Sequence, residues 1–154
     1  MERASRAREL VGRLREHVAR LIPVIEAVPE EAWNRSTAPG VWSIGKEAEH
    51  VADAAAYHQW IVRLSIGERV SSRRPSIERA RMTTALLREQ VVDLIRTRTE
   101  EGATLLGALT DEQLDLPTKP PRARNEPLAD TIERVLIGHY EAHRLGIQDK
   151  LANG

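Results

Sequence analysis

The sequence predicts an all-α four-helix bundle, on three observations. Four long stretches carry apolar residues at alternating steps of three and four, the period of one helical face. Breaks rich in proline, glycine and serine separate them. No segment shows strand-like alternation of any length, and no internal repeat recurs. At 154 residues the chain fits a single domain, residues 1–154, long enough to bury a core of its own.

The first stretch covers about residues 5–28, with Val11, Leu14, Val18, Leu21 and Ile25 in register. Pro23 inside it predicts a kink or an earlier end, because proline lacks the amide hydrogen and crowds the preceding turn. Pro29 followed by Glu30-Glu-Ala-Trp33 reads as a short helical turn, and Thr37-Ala-Pro-Gly40 as a loop. Ser43 caps the second helix, which runs to about residue 66. Ile44, Ala48, Val51, Ala55 and Val62 mark one apolar row there. His50, Ala54, Tyr57, Ile61 and Leu64 mark a second beside it, so this helix is apolar over a wide arc.

Residues 67–75 form a polar break, and residues 76–79 read as another short turn. The third helix covers about residues 83–109, with Leu87, Val91, Leu94, Ile95, Leu105 and Leu109 inward. Gly102 and Gly107 weaken its end. Thr110-Asp-Glu-Gln113 has the spacing of a capping box opening a further turn. A proline-rich connection, residues 115–127, leads to the fourth helix, with Pro127 suited to its first turn and an end near residue 151. The core stripe of that helix reads Leu128, Ile132, Val135, His139, Ala142 and Gly146, flanked by Leu136, His143 and Ile147.

Composition excludes several function classes. The charges balance, 23 basic against 23 acidic, and they are interspersed, so no basic field favours nucleic acid. No run of roughly 18 apolar residues predicts a membrane span, and the N-terminus lacks the apolar core of a signal peptide. With no cysteine there are no disulfides, thiolate ligands or cysteine nucleophile. A cytoplasmic protein is the expectation. Basic residues are almost all arginine, with lysine only at Lys46, Lys119 and Lys150, which reads as a GC-rich bacterial coding bias. No glycine-rich phosphate loop and no nucleophile elbow is present.

The chemistry lies in the histidines. His139 and His143 stand four apart and so share one helical face. They fall where a bundle would otherwise place leucine, and His50 occupies an apolar row of the second helix. Burying an imidazole without a partner costs roughly 1–3 kcal/mol, so each ring needs one. Two readings satisfy that need. Each ring could hydrogen-bond within the core, or the three could converge on one ion, the ligand set of a catalytic metal site that keeps positions open for water.

Asp53, three residues after His50, is either a further ligand or an acceptor that orients an imidazole, or an ordinary surface aspartate. His58 reads as pocket-lining or exposed and not a ligand, and His17 as a surface residue. Trp33 and Trp42 read as packing anchors, and Tyr57 and Trp60 as core or rim. The Glu of a metalloprotease His-Glu-x-x-His motif is replaced by Tyr140. Glu141 lies roughly 200° of helical rotation from His139, pointing away.

Trp42-Ser43 followed by His50-Val-Ala-Asp53, with His139-x-x-x-His143 before a short tail, resembles the helix-two and helix-four signatures of the DinB/YfiT-like superfamily. Leu109-Thr-Asp-Glu-Gln-Leu114, a proline-containing loop and Leu128-Ala-Asp-Thr-Ile132 fit the same pattern, so the resemblance covers nearly the whole chain. It implies a four-helix bundle with a crossover connection. It also implies a metal, zinc or nickel, on His50, His139 and His143. Family members include S-transferases and an isomerase that use low-molecular-weight thiols. The expected function is thus metal-dependent activation of such a thiol, or of water in a hydrolytic variant, towards a small electrophilic substrate, with a homodimer as the family-level expectation. Arg63, Arg73, Arg74, Arg122, Arg124 and Arg144 are candidate partners for a thiol cosubstrate's carboxylates by composition. The alternative is a non-catalytic metal-binding or dimerising scaffold, a stress protein whose histidines serve stability or sensing.

Overall fold

The computed structural model describes residues 5–70, 74–121 and 125–153. The long helices are α1 (Arg6–Glu26), α3 (Ile44–Ser65), α4 (Arg88–Gly107) and α7 (Gly138–Asn153), with short α2 (Glu30–Trp33), α5 (Asp111–Leu114) and α6 (Leu128–Thr131) in the connections. A π-helical segment, Ile132–Ile137, joins α6 to α7 as one continuous rod. Among the described residues there is no strand, and no helix is long and apolar enough to cross a membrane.

α1 packs against α4 and α7, and α3 packs against the same two. Helices consecutive in sequence, α1 and α3, therefore sit diagonally. Arg13 pairs with Glu133 and His17 faces Glu141, so α1 and α7 run parallel. Lys150 reaches Glu47 while Thr131 and Ile132 share a cleft with Ile61 and Val62, so α3 and α7 run antiparallel. Arg15 pairs with Glu100, and Arg96 with Glu26, which sets α4 antiparallel to α1. The order is up, down, down, up. The connection from α3 to α4 must then travel the length of the bundle, which is the crossover.

That crossover is tied down at the end of the bundle where α3 begins. The Ser43 amide donates to the Met82 carbonyl (2.8 Å), Trp42 Nε1 to the Arg79 carbonyl (3.2 Å) and Trp33 Nε1 to the Leu86 carbonyl (3.0 Å). Gly45 lets the Trp33 ring lie against α3, since a Cβ there would stand 2.7 Å from it. The Lys46 ammonium, its side chain 1% exposed, is paired with Glu78 at 2.7 Å. Residues 74–87 follow this anchoring without helical structure, so the turn expected at 76–79 does not form and the third helix begins at Arg88, not near residue 83. Leu87, expected inward, is instead the 61%-exposed residue before that helix.

The core is the one the apolar rows predict. Leu14, Leu21, Ile25, Val91, Ile95 and Leu106 are fully enclosed, each such side chain contributing about 1.5–3 kcal/mol. Pro23 neither ends α1 nor shortens it, for the helix runs on to Glu26 with Ile22 and Ile25 buried around the proline. Ser43 caps α3 through its hydroxyl, and the Thr110–Gln113 capping box forms as its spacing requires. Pro127 sits one residue ahead of α6, as its N-cap.

Candidate metal centre

The fourth rod departs from its expected stripe, and the π segment is the reason. A π turn holds one more residue than an α turn. Everything after it lags by roughly 100° about the helix axis. Tyr140 accordingly takes the core position that a continuous α-helix would give His139, with Ile147 in line below it, both buried. Ala142, expected inward, is exposed, and Val135 is only half-buried. Burial raises the Tyr140 hydroxyl to about 12, with Thr99 as its hydrogen-bond partner. The row His139, His143, Gly146, Lys150 is displaced to the edge facing the first two turns of α3. His139 and His143 are there half-buried rather than central.

His50, 4% exposed, comes from α3 to meet them. Its ring centroid lies 5.1 Å from that of His139 and 5.0 Å from that of His143. The Nε2 atoms of His139 and His143 are 3.0 Å apart. One nitrogen from each of the three residues lies within 4.8 Å of the others, the arrangement of a group able to hold a metal ion. Trp42 packs against His50 at 4.8 Å between ring centroids. Burial, reinforced by the positive charges of His143, Arg79 and Lys46, lowers His50 to about 4, so its ring is neutral at physiological pH.

The sequence model of the DinB superfamily matches residues 13–147. The chain belongs to the DinB superfamily. No curated protein and no solved structure matches it. The residues given by resemblance to the superfamily, His50, His139 and His143, are the ones the fold gathers.

Whether they suit an ion can be judged from the protein atoms. A tetrahedral ion with metal–nitrogen bonds of about 2.0–2.1 Å spaces its nitrogens roughly 3.3 Å apart, close to the His139–His143 separation. The same distance would serve an N–H···N hydrogen bond between two neutral rings. His50 Nδ1 is buried with no hydrogen-bond partner among the described residues, a costly arrangement for a polar atom. The donors are uniformly imidazole, which suits zinc or nickel. The residues fit a divalent transition metal.

Glu47, which periodicity alone did not single out, is the surprise of the site. It is 6% exposed on the first turn of α3, with Oε2 3.5 Å from His143 Nδ1 and Oε1 3.1 Å from Lys150 Nζ. Burial pushes its carboxyl up, yet hydrogen bonding from His143 and Lys150 outweighs that and holds it below the usual range. Nothing in its local sequence marks Glu47, because its partners His143 and Lys150 lie on the last helix.

The remaining candidates fall elsewhere. His58 is buried, lies edge-on to His139 at 5.1 Å and borders a small apolar cleft of about 10 Å³, room for one water, with Ile61, Val62, Ile132, Val135 and Leu136. His17 is half-buried, its Nδ1 3.6 Å from Glu141, which in turn pairs with Arg144 on the side away from the cluster. Arg63 pairs with Glu68, and Arg74 lies over the Tyr57 ring. Arg73, Arg122 and Arg124 lie outside the described residues.

Asp53 is half-buried and is not part of the three-histidine group. Burial and the neighbouring Glu49 raise its carboxyl above the usual value. A carboxyl raised on folding destabilises the fold wherever it must be ionised. Asp53→Asn should therefore raise Tm at pH 7, and the gain should fade as pH falls through the raised value towards 3.8. Melting curves across pH 3.5–7, with metal content measured in parallel, check this; metal lost from the variant would instead place Asp53 in the site.

Proposed function

We propose that this protein is a metal-dependent enzyme in which His50, His139 and His143 hold a divalent ion, zinc or nickel, for thiol-dependent or hydrolytic chemistry on a small electrophile. The observation that carries the reading is the convergence of three imidazoles from two antiparallel helices on one point at the edge of the core. When bound, such an ion stabilises a thiolate or hydroxide near neutral pH, a nucleophile that a chain without cysteine lacks.

The chain's own residues supply the rest. His50 stays neutral above pH 5, so its lone pair is free for a ligand bond. Trp42 packs against His50, while the half-buried pair His139 and His143 leaves the group within reach of a small molecule. In the thiol-dependent form, sulfur attack on an electrophilic carbon makes the C–S bond as the leaving group departs with its electron pair.

The test loads purified protein with zinc or nickel and offers chlorinated and epoxide electrophiles, with and without low-molecular-weight thiols. Metal-dependent consumption of electrophile and thiol together supports S-transfer. Consumption without thiol supports the hydrolytic form. One equivalent of bound metal with no turnover of any kind would return the protein to the scaffold reading.

A further inference from the structure

We infer that Glu47, seated by Gly146 and Lys150, is a positioning residue that fixes the orientation of His143 for metal binding. The inference rests on the metal-site reading above. His143 uses its two nitrogens differently: Nε2 lies 3.0 Å from His139 Nε2, and Nδ1 faces Glu47 Oε2 at 3.5 Å. An imidazole that presents Nε2 to an ion must carry its proton on Nδ1, and a carboxylate at Nδ1 selects that tautomer and limits rotation of the ring. The Lys150 ammonium 3.1 Å from the other oxygen suits a carboxylate, an acceptor-only group, so the contact has the right polarity.

Two neighbours hold the carboxylate in place. Lys150, one helical turn beyond Gly146, meets the other oxygen at 3.1 Å, so Oε2 is left to His143. Gly146 is the space the carboxylate occupies: a Cβ there would stand 2.7 Å from Oε2 and 2.9 Å from Oε1. No real Cβ tolerates that approach, so any larger residue at 146 would displace the carboxylate. His143, Gly146 and Lys150 share one face of α7 by their spacing of three and four, and the π turn brings that face to α3. Three residue types with no obvious connection in sequence thus serve one imidazole.

The experiment measures zinc affinity by chelator competition for the full chain, Glu47→Gln and Gly146→Ala, together with the Tm of each metal-free protein. Glu47→Gln keeps the shape and removes the charge. Gly146→Ala keeps the carboxylate and moves it. Both should bind zinc about 10–100-fold more weakly, the usual effect of losing a partner behind a ligating histidine, Gly146→Ala with metal-free Tm little changed and Glu47→Gln with a lower one, since it also unpairs Lys150. Cobalt substituted into each should show an altered visible absorption, which a merely structural contact would leave alone. Unchanged affinity in both variants, with the parent holding one equivalent, overturns the inference while the metal site stands. No zinc bound by the parent overturns both. If Glu47→Gln fails to fold, the Gly146→Ala affinity decides.

Discussion

His139→Ala should abolish stoichiometric metal binding. Wild-type protein purified without a tag should carry about one equivalent of transition metal by elemental analysis, and the variant essentially none. The loss should exceed about 100-fold in affinity, the upper end of what removing only an outer partner costs, because His139 supplies one of the two nitrogens already 3.0 Å apart. Stability gives a second readout. An ion that binds only the native state at a hundredfold excess over its dissociation constant stabilises by about 2.7 kcal/mol. At roughly 2–4 °C per kcal/mol for a domain of this size, zinc should raise the wild-type Tm by roughly 5–10 °C and leave the variant unmoved. His139 is half-buried, so the truncation itself should not unfold the protein. Leu145→Ala, at a 53%-exposed position on the same helix, is the control and should keep its metal. Metal retained by His139→Ala would mean that the rings are hydrogen-bonded core residues.

The bundle could be read from sequence because its helices advertise themselves locally. Leu14, Val18, Leu21 and Ile25 repeat at helical spacing, and they are buried. Ser43 and Thr110 cap where their side chains can reach a backbone amide. Residue-level errors cluster where tertiary contacts overrule local preference. Residues 83–87 have helical composition, yet Trp33 claims the Leu86 carbonyl and Asn34 the Thr84 amide and carbonyl, with Ser43 holding Met82 beside them, and the segment stays non-helical. The site was readable to the level of its three histidines but not to their height or setting. Periodicity at 3.6 assumes a continuous α-helix, and nothing in Ile132-Glu-Arg-Val-Leu-Ile137 signals an extra residue in a turn. That one residue moves Tyr140 into the core and the histidine row to its edge. Glu47 was missed for a related reason: its partners lie about a hundred residues away, and only the folded register brings them together.

The π turn leads to a second large effect, a contrast between two single-residue deletions. Removing Arg134, an exposed residue inside Ile132–Ile137, takes away the extra residue of the turn and lets the rod become continuous α-helix. The segments on either side keep their facing, so Leu128 and Ile132 above and Tyr140 and Ile147 below remain buried, and the histidine row still meets α3. The variant should fold with a Tm near that of the wild type. Removing Arg96, likewise an exposed residue but in α4, gives the opposite result. In an unbroken α-helix the loss of one residue turns everything beyond it by about 100°. Thr99, Ala103, Leu105 and Leu106 would leave the core together. Exposing two leucines alone costs about 3–6 kcal/mol, against a typical total of about 5–15 kcal/mol, and the cavities left behind add to it. That variant should be unfolded or insoluble. Circular dichroism and thermal melts of the two proteins settle the matter: if the Arg134 deletion unfolds as completely as the Arg96 deletion, the fourth rod carries no extra residue. In that case the edge placement of His139 and His143 would need another cause.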